Sequence, residues 1–123
     1  MHLSVIIVSW NVRELLRRCL SSVYASRAVS PGLELEILVV DNASADGTVA
    51  MIRSEFPDVR LAVNTGNLGF AAANNRGMHH AKARYIMLLN PDTEVRGDAS
   101  GRMASYLDEH PGVGMVGPRL LNA

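Results

Sequence analysis

Short apolar runs alternate with segments of helical periodicity along this chain, and that alternation restricts its fold more than any other feature. The runs at residues 3–9, 35–40, 59–63 and 85–89 have the length and composition of strands. A strand that is apolar at nearly every position is buried on both faces, as in a parallel sheet covered by helices. We therefore expect an α/β fold with a mainly parallel sheet.

Helix signals occupy the intervals between these runs. Asn11 can cap the first helix, and Glu14, three residues later, completes a pair that resembles a capping box. The helices that follow are expected at about residues 44–56, 70–83 and 98–110. A side-chain cap from Asp98 suits the last of these helices, and a fifth strand is expected at residues 113–116.

Length, charge and cysteine content narrow the class of protein. A chain of 123 residues has the size of one domain, and we interpret residues 1–123 as a single domain. The 12 basic and 12 acidic residues cancel, so no nucleic-acid partner is expected. The single cysteine, Cys19, excludes an internal disulfide and favours a cytoplasmic setting.

Polar residues follow each predicted strand at the point where the strand ends. In chain order these are Ser9-Trp10-Asn11, Asp41-Asn42, Asn64 and Asn90-Pro91-Asp92. The carboxyl ends of parallel strands meet at one edge of the sheet, and ligands of open α/β sheets bind in the crevice beyond that edge. The sequence therefore predicts a binding site that these residues share.

The glycine-rich loops that cradle phosphate in many α/β proteins are absent from the sequence. Residues 10–13, which follow the first predicted strand, contain no glycine, unlike the turn of a dinucleotide-binding fold. No loop of the Walker type occurs either. If a phosphate group binds at this edge, a divalent metal ion is the expected means of neutralising it, with Asp92 as the carboxylate ligand.

Four motifs, taken in order, resemble those of family 2 glycosyltransferases, especially the rhamnosyltransferase-like branch. They read VIIVSWN at 5–11, VVDNASADGT at 39–48, NLGFAAANNRG at 67–77 and LLNPDT at 88–93. The resemblance implies the GT-A fold, a Rossmann-like three-layer α/β/α sandwich for nucleotide-diphospho-sugar transfer. It also implies that residues 1–123 are the N-terminal, nucleotide-binding part of a domain that is truncated before its acceptor site.

The resemblance assigns roles to individual residues. The implied nucleotide-binding residues are Ser9, Trp10, Asn11, Asp41, Asn67, Asn75 and Asn90. Among them, Asp41 corresponds to the family's acidic residue that accepts a hydrogen bond from the nucleobase. The tripeptide 9–11 would flank the base and the ribose.

Asn90-Pro91-Asp92 stands at the place of the family's DxD motif. Asp92 would bind Mg²⁺ or Mn²⁺, and Asn90 replaces the first carboxylate with an amide that can hydrogen-bond a ribose hydroxyl. With one anionic ligand fewer, metal affinity in the absence of nucleotide is expected to be poor. The catalytic base is expected beyond Ala123, so no catalytic residue is assigned within the chain.

The implied reaction transfers a sugar from a UDP- or dTDP-linked donor, rhamnose being the sugar that this branch indicates, to a saccharide or lipid acceptor. It would be inverting and metal-assisted, and the truncated chain is expected to bind the donor but to be inactive alone. The expected location is the cytoplasm, and the inner face of the membrane is an alternative that the sequence leaves open. An unpaired sheet edge would favour self-association.

Other interpretations stay open on the sequence alone. A non-catalytic nucleotide-binding or regulatory module would also lack a base, and a nucleotidyltransferase uses a related sheet and a metal ion. Asp41 and Asp92 can be ordinary turn residues, and Trp10 can pack at the edge of the sheet. Asp46 is expected to start a helix rather than to bind a ligand.

Overall fold

Strands and helices alternate along the chain as the apolar pattern predicts. A computed structural model describes residues 2–121, and within that range four strands alternate with four helices. The strands are β1 (Leu3–Ser9), β2 (Leu35–Asp41), β3 (Arg60–Val63) and β4 (Tyr85–Leu89). The helices are α1 (Arg13–Ala28), α2 (Thr48–Glu55), α3 (Phe70–His80) and α4 (Ala99–Glu109).

The strands of the described range form one parallel sheet in the order β3-β2-β1-β4. From β1 the chain steps outward to β2 and β3, and then returns across the sheet to place β4 on the other side of β1. Because crossovers between parallel strands are right-handed, this reversal puts α3 on the opposite face from α1 and α2. The predicted α/β fold with a parallel sheet is confirmed.

The core covers both faces of β1 and β2, which explains why their residues are nearly all apolar. Successive side chains of a strand point to opposite faces. Ile7 therefore packs in the cluster that contains Leu16 of α1 and Ile52 of α2. Its neighbour Val8 packs in a second cluster with Ala73 of α3. The sheet is the middle layer of three, as the GT-A sandwich requires.

Strand β4 is covered less completely than β1. Every residue of β1 is buried, whereas half-buried and exposed residues alternate along β4. Ile86 and Leu88 pair with Ser4 and Ile6, and they lie on the α3 side of the sheet. Because α3 packs against β1 and β2, Ile86 is left 45% exposed and Leu88 51% exposed.

Helix α3 ends at His80, whereas the sequence predicted that it would continue to residue 83. The carboxylate of Glu36 accepts a hydrogen bond from the backbone N–H of Lys82 at 2.8 Å. The hydroxyl of Ser4 accepts one from the backbone N–H of Ala83 at 3.1 Å. These tertiary bonds draw the chain toward β1 and β2 and end the helix early.

The predicted side-chain caps are wrong for α1 and α4. Val12 occupies the N-cap position of α1, and Asp98 occupies that of α4 as predicted, but neither side chain caps its helix with a hydrogen bond. The side chain of Asn11 is engaged by another loop, so the predicted capping box with Glu14 does not form.

The predicted strand at residues 113–116 is also wrong. This segment has no regular secondary structure and pairs with none of the strands between residues 2 and 121. Gly114 interrupts it and Gly112 and Gly117 flank it, and glycine disfavours a strand because it has no side chain to pack. Between residues 2 and 121 no helix is long and apolar enough to cross a membrane.

We predict that Gly77→Ala destabilises the fold because α3 lies very close to β1 at this position. A Cβ atom here would stand 2.6 Å from Cγ2 of Ile6, which is fully buried. Overpacking costs about 2 kcal/mol, more than the roughly 1 kcal/mol that alanine's helix propensity returns. Urea unfolding should show a free energy of unfolding lowered by about 1 kcal/mol.

Gly66→Ala is the control for this measurement, because a Cβ atom at Gly66 meets nothing within 4 Å. It should leave the unfolding midpoint close to that of the wild type. An unchanged midpoint for Gly77→Ala would contradict the close packing of α3 on β1.

Candidate functional site

The order of the strands reverses between β1 and β4, and ligands of open α/β sheets bind at such a switch point. Trp10 follows β1 and is 54% exposed. Asn90 and Asp92 follow β4 and are exposed as well. The structure thus brings residues predicted from two separate motifs to one place, which we call the switch-point crevice, flanked by residues 9–11 and 90–93.

Helix α1 holds the loop that follows β4. The carbonyl oxygen of Asn90 accepts hydrogen bonds from the backbone N–H of Thr93 at 3.2 Å, from its hydroxyl at 2.7 Å, and from the thiol of Cys19 at 3.7 Å. The hydroxyl of Ser22 accepts a hydrogen bond from the backbone N–H of Val95 at 2.8 Å. The loop is therefore fastened to α1 at both of its ends.

Cys19 lies among the buried residues of α1 and also holds the loop that follows β4. Its side chain is buried, and it is the chain's single cysteine. Burial, together with the negative charges of Asp92 and Glu94, raises the pKa of the Cys19 thiol to about 12. The thiol thus stays protonated at neutral pH, where it serves as a donor to Asn90 and not as a nucleophile.

Asp41 ends β2 beneath the loop that follows it and is fully buried. One carboxylate oxygen accepts a hydrogen bond from the backbone N–H of Ser44 at 2.9 Å, and the other accepts one from the Ser44 hydroxyl at 2.6 Å. The structure gives Asp41 a turn-forming role. Contact between Asp41 and a nucleobase stays a prediction.

Asn11 ties the loop after β1 to the loop after β2. Its backbone is left-handed, with φ at 51°, a conformation that asparagine tolerates better than most residues. Its backbone N–H donates to the Ser44 hydroxyl at 2.9 Å, and its side-chain oxygen accepts a hydrogen bond from the backbone N–H of Ala45 at 2.7 Å. A hydrogen-bonded chain therefore runs from Asn11 through Ser44 to Asp41.

Asp46 fastens the beginnings of α1 and α2. One oxygen accepts a hydrogen bond from the backbone N–H of Arg13 at 3.0 Å, and the other accepts from the backbone N–H of Thr48 at 3.1 Å and from its hydroxyl. Asp46 thus lies at the start of α2 as predicted, although Gly47 is the N-cap residue and Asp46 bonds the first residue of the helix. Burial opposes ionisation of this carboxyl, but the hydrogen bonds from Thr48 and Arg13 outweigh it and hold the pKa of Asp46 below its ordinary value.

Ser9 carries a buried polar atom without a partner, and across residues 2–121 no other side-chain nitrogen or oxygen is in that state. Its hydroxyl lies at the end of β1, fully buried, directly before Trp10. Buried hydroxyls are nearly always hydrogen-bonded, so an unpaired one requires an explanation. A polar group of a ligand in the switch-point crevice can supply the missing partner.

The predicted asparagines after β3 differ in their surroundings. Asn67 is exposed, and its side-chain oxygen accepts a hydrogen bond from the backbone N–H of Gly69 at 2.9 Å, so it shapes its own loop. Asn75 is exposed on α3, whereas its neighbour Asn74 is buried and donates to a carbonyl of the same helix. Asn75 is therefore the accessible member of that pair.

A metal ion at Asp92 would need ligands from outside the protein. Between residues 2 and 121 no three His, Cys, Asp or Glu side chains are grouped so that they could hold an ion. Mg²⁺ is commonly bound by one or two carboxylates together with substrate phosphates and water. The exposed Asp92, with the amide of Asn90 close by in the chain, fits that ligand set.

A surface hollow of about 460 Å³ lies at the opposite edge of the sheet. Its lining includes His2 and Leu33, which precede β1 and β2, and Asp98 and Tyr106 near or on α4. Open α/β sheets bind their ligands beyond the carboxyl ends of the strands and not at the amino ends. We therefore take the switch-point crevice as the candidate functional site.

An open parallel sheet with a reversal of strand order, and with polar residues at the carboxyl ends that flank the reversal, defines a class of α/β proteins that bind ligands at the switch point. The family within that class is shown by a match to a family model. The chain belongs to glycosyl transferase family 2, whose family model matches residues 4–122. The resemblance carried by the four motifs is thereby confirmed.

One relative is the succinoglycan biosynthesis protein ExoO of Rhizobium meliloti (strain 1021). It is 33% identical over 104 residues, a match that covers 84% of this chain and 29% of that protein. The chain therefore spans less than a third of the length of this relative.

Solved structures share the fold. The mannosyltransferase PcManGT from Pyrobaculum calidifontis, in complex with GDP-Man and Mn²⁺, has a TM-score of 0.74 at 26% identity, over 86% of this chain and 32% of that one. S. aureus TarS 1-349, in complex with UDP, has a TM-score of 0.78 at 22% identity, over 90% of this chain and 33% of that one. These likenesses confirm the GT-A fold.

Because hydrogen bonds lower the pKa of Asp46, its contribution to stability should depend on pH. A carboxyl whose pKa is lower in the folded than in the unfolded chain stabilises the fold at pH values above its pKa in the unfolded chain. This stabilisation is lost as the pH falls through its pKa in the folded chain. Asp46→Ala should lower the free energy of unfolding by about 1 kcal/mol at pH 7. The difference from the wild type should shrink below about pH 4.

Urea unfolding at neutral and at acidic pH measures this difference. Asp58→Ala, which removes a carboxylate from an exposed position before β3, is the control. A deficit for Asp46→Ala that is equally large at both pH values would show that its charge has no part in starting the helices.

Proposed function

We propose that this chain binds the nucleoside diphosphate part of a nucleotide-sugar donor at the switch-point crevice, for transfer of the sugar to a saccharide or lipid acceptor. The observation that carries the proposal is the presence of an exposed aromatic ring, Trp10, after β1 and an exposed carboxylate, Asp92, after the adjacent β4. An aromatic ring can stack on a nucleobase, and a carboxylate can hold a cation that also binds phosphates. Membership of the family supports the same function.

The polar residues of the crevice have distinct roles in this proposal. The unpaired hydroxyl of Ser9 and the exposed amide of Asn90 bind ribose hydroxyl groups from the two sides. The exposed amides of Asn67 and Asn75 contact the nucleotide from the loop after β3 and from α3. Asn11 shapes the crevice through its bonds to the loop after β2.

Asp41 has a conditional role. Its carboxylate suits the imide N–H of uracil or thymine, because an ionised carboxylate only accepts hydrogen bonds. Both of its oxygens already accept hydrogen bonds from Ser44, but each oxygen has a second lone pair. On this proposal Ser44 shifts when the base enters, and Asp41 accepts from the base and from the backbone together.

A divalent cation, Mg²⁺ or Mn²⁺, would be held by Asp92, and the cation would offset the charge that develops on the leaving diphosphate. The task of the chain is to present Asp92 at a fixed place. The loop that carries Asp92 is hydrogen-bonded to Cys19 and Ser22 of α1. Binding of the donor therefore does not carry the entropy cost of ordering this loop. PcManGT, with its GDP-Man and Mn²⁺, supports this arrangement by analogy.

We propose that transfer itself depends on a catalytic base that residues 1–123 do not supply. An inverting transfer needs a base that takes the proton of the acceptor hydroxyl as this oxygen attacks the anomeric carbon and the diphosphate departs. On this proposal residues 1–123 bind the donor, on a UDP or dTDP carrier with rhamnose as the proposed sugar, without transferring it. The proposed location is the cytoplasm or the inner face of the membrane.

A second candidate function is a nucleotide-binding module without catalysis. It is favoured by Asn90, which stands where a carboxylate would strengthen a metal site, and by the lack of a cluster of metal ligands within residues 2–121. Such a module would bind a nucleoside diphosphate equally well with and without a divalent cation.

We predict that UDP or dTDP quenches the fluorescence of Trp10, the chain's one tryptophan, and that Mn²⁺ strengthens the binding. Asp92→Asn should weaken nucleotide binding in Mn²⁺ by at least about tenfold, because a hydrogen bond or ion contact to a charged group contributes roughly 1.5–3 kcal/mol. In the absence of metal the variant and the wild type should bind alike.

Asp58→Asn is the matched control, an exposed aspartate before β3 at the opposite edge of the sheet. It should bind as the wild type does. Equal affinity of Asp92→Asn and the wild type in Mn²⁺ would contradict the metal role, and binding unaffected by metal in every variant would favour the non-catalytic module. If UDP, dTDP and GDP all fail to bind, the proposed function is wrong.

We also propose that the chain self-associates through β4. Ile86 and Leu88 form a half-exposed apolar face on a strand at the edge of the described sheet, and such edges pair readily with other chains. Sedimentation velocity should show a dimer or larger species, which Leu88→Lys converts to a monomer. Leu15→Lys, at a similarly exposed leucine of α1, should leave the assembly intact. A monomer at every concentration of the wild type would overturn this proposal.

A further inference from the structure

The side chain of Asn42 is buried among three polar partners at the end of β2. Its oxygen accepts hydrogen bonds from the side-chain amide of Asn64 at 2.8 Å and from the backbone N–H of Leu68 at 3.3 Å. Its nitrogen donates to the carbonyl oxygen of Gly69 at 3.2 Å. One amide group therefore joins the ends of two strands to the residues that begin α3.

The segment held in this way, residues 64–69, has little packing of its own. Leu68 is 56% exposed and Asn67 is also exposed, so burial of apolar side chains does little to fix the loop. Gly69 has a φ of 82°, which few other residues adopt. The position of the loop therefore depends on its hydrogen bonds. The side chain of Asn42 takes part in three of them, as acceptor in two and as donor in one.

The chemistry at this position requires an amide. The side chain must accept two hydrogen bonds and donate a third in opposite directions, which asparagine can do and aspartate cannot. A carboxylate at position 42 would face the carbonyl oxygen of Gly69 and would also lie next to the buried Asp41 in the chain. A serine or alanine would leave buried polar groups of the loop unpaired.

The network continues into α3. The guanidinium of Arg76 donates to the side-chain oxygen of Asn64, the residue whose amide donates to Asn42. Because α3 packs against β1 and β2, its N-terminal end lies at the β1 side of the switch-point crevice. Asn42 thus holds the start of α3 directly through Gly69, and the relay through Asn64 to Arg76 holds the helix two turns further on.

We propose that Asn42 is a positioning residue for the donor site: it holds the 64–69 loop, and with it Asn67 and the start of α3, against the crevice, and it sets nucleotide affinity without touching the nucleotide. The inference rests on the function proposed above. It assigns a role to a residue whose own hydrogen-bonding groups are turned toward the protein, and it gives Arg76 a structural partner in Asn64.

The test compares Asn42→Asp and Asn42→Ala with the wild type in three measurements. Amide hydrogen exchange at Leu68 reports the loop, urea unfolding reports global stability, and quenching of Trp10 by UDP in Mn²⁺ reports the site. We expect faster exchange at Leu68 in Asn42→Ala, which removes its acceptor, and UDP affinity weakened by about tenfold in both variants. Asn42→Ala combined with Asn64→Ala should weaken binding little more than Asn42→Ala alone, since both residues act through one relay.

Val59→Ala is the stability control, because Val59 is buried in the core at the start of β3, away from the crevice. It should lower stability and leave UDP affinity unchanged, which separates a positioning effect from general destabilisation. If the wild type binds UDP and both Asn42 variants bind it equally well, the inference is overturned while the proposed function stands. If the wild type binds no nucleotide, both are overturned.

Discussion

Strand β1 pairs with β2 from Leu3 to Ser9 and with β4 from Leu3 to Ile7, and helices cover both of its faces. This double pairing fixes the position along the sheet at which each loop of the crevice begins, because Ser9 lies opposite Asp41 and Ile7 lies opposite Leu89. A shift of one residue in either register would turn every side chain of the strand to the wrong face. The geometry of the site therefore follows from the burial of β1.

The loops on this edge are held by polar side chains from other elements. Asn11 and Ser44 join the loops after β1 and β2, Cys19 holds the loop after β4, and Asn42 holds the loop after β3. Each bond crosses between elements, so the loops keep their positions although their tips are exposed. A scaffold that fixes exposed loops in advance reduces the ordering cost of binding a ligand.

Much of this could be predicted from the sequence, because apolar runs report burial directly. The runs located all four strands of the described range, and their polar ends located the crevice. Two errors concern tertiary bonds, which leave no periodic signal: the side chain of Asn11 accepts a hydrogen bond from Ala45 instead of capping α1, and bonds to Glu36 and Ser4 end α3 early. The strand predicted at 113–116 is absent for another reason, because glycines lie within and beside that segment. Ser44 and Asn42 lay inside a motif, but only the structure shows what their side chains contact.

On the proposed function, a nucleoside diphosphate binds between the ends of β1 and β4. Titration of ¹⁵N-labelled chain with UDP in Mg²⁺, followed by NMR, tests it most directly, because each backbone amide reports separately. Binding at this place should give the largest amide shifts at residues 9–11, 90, 92 and 93, with smaller shifts in the 64–69 loop. Shifts confined to the hollow at the other edge of the sheet, whose lining includes Gly32, Leu33, Arg102 and Ser105, would contradict it.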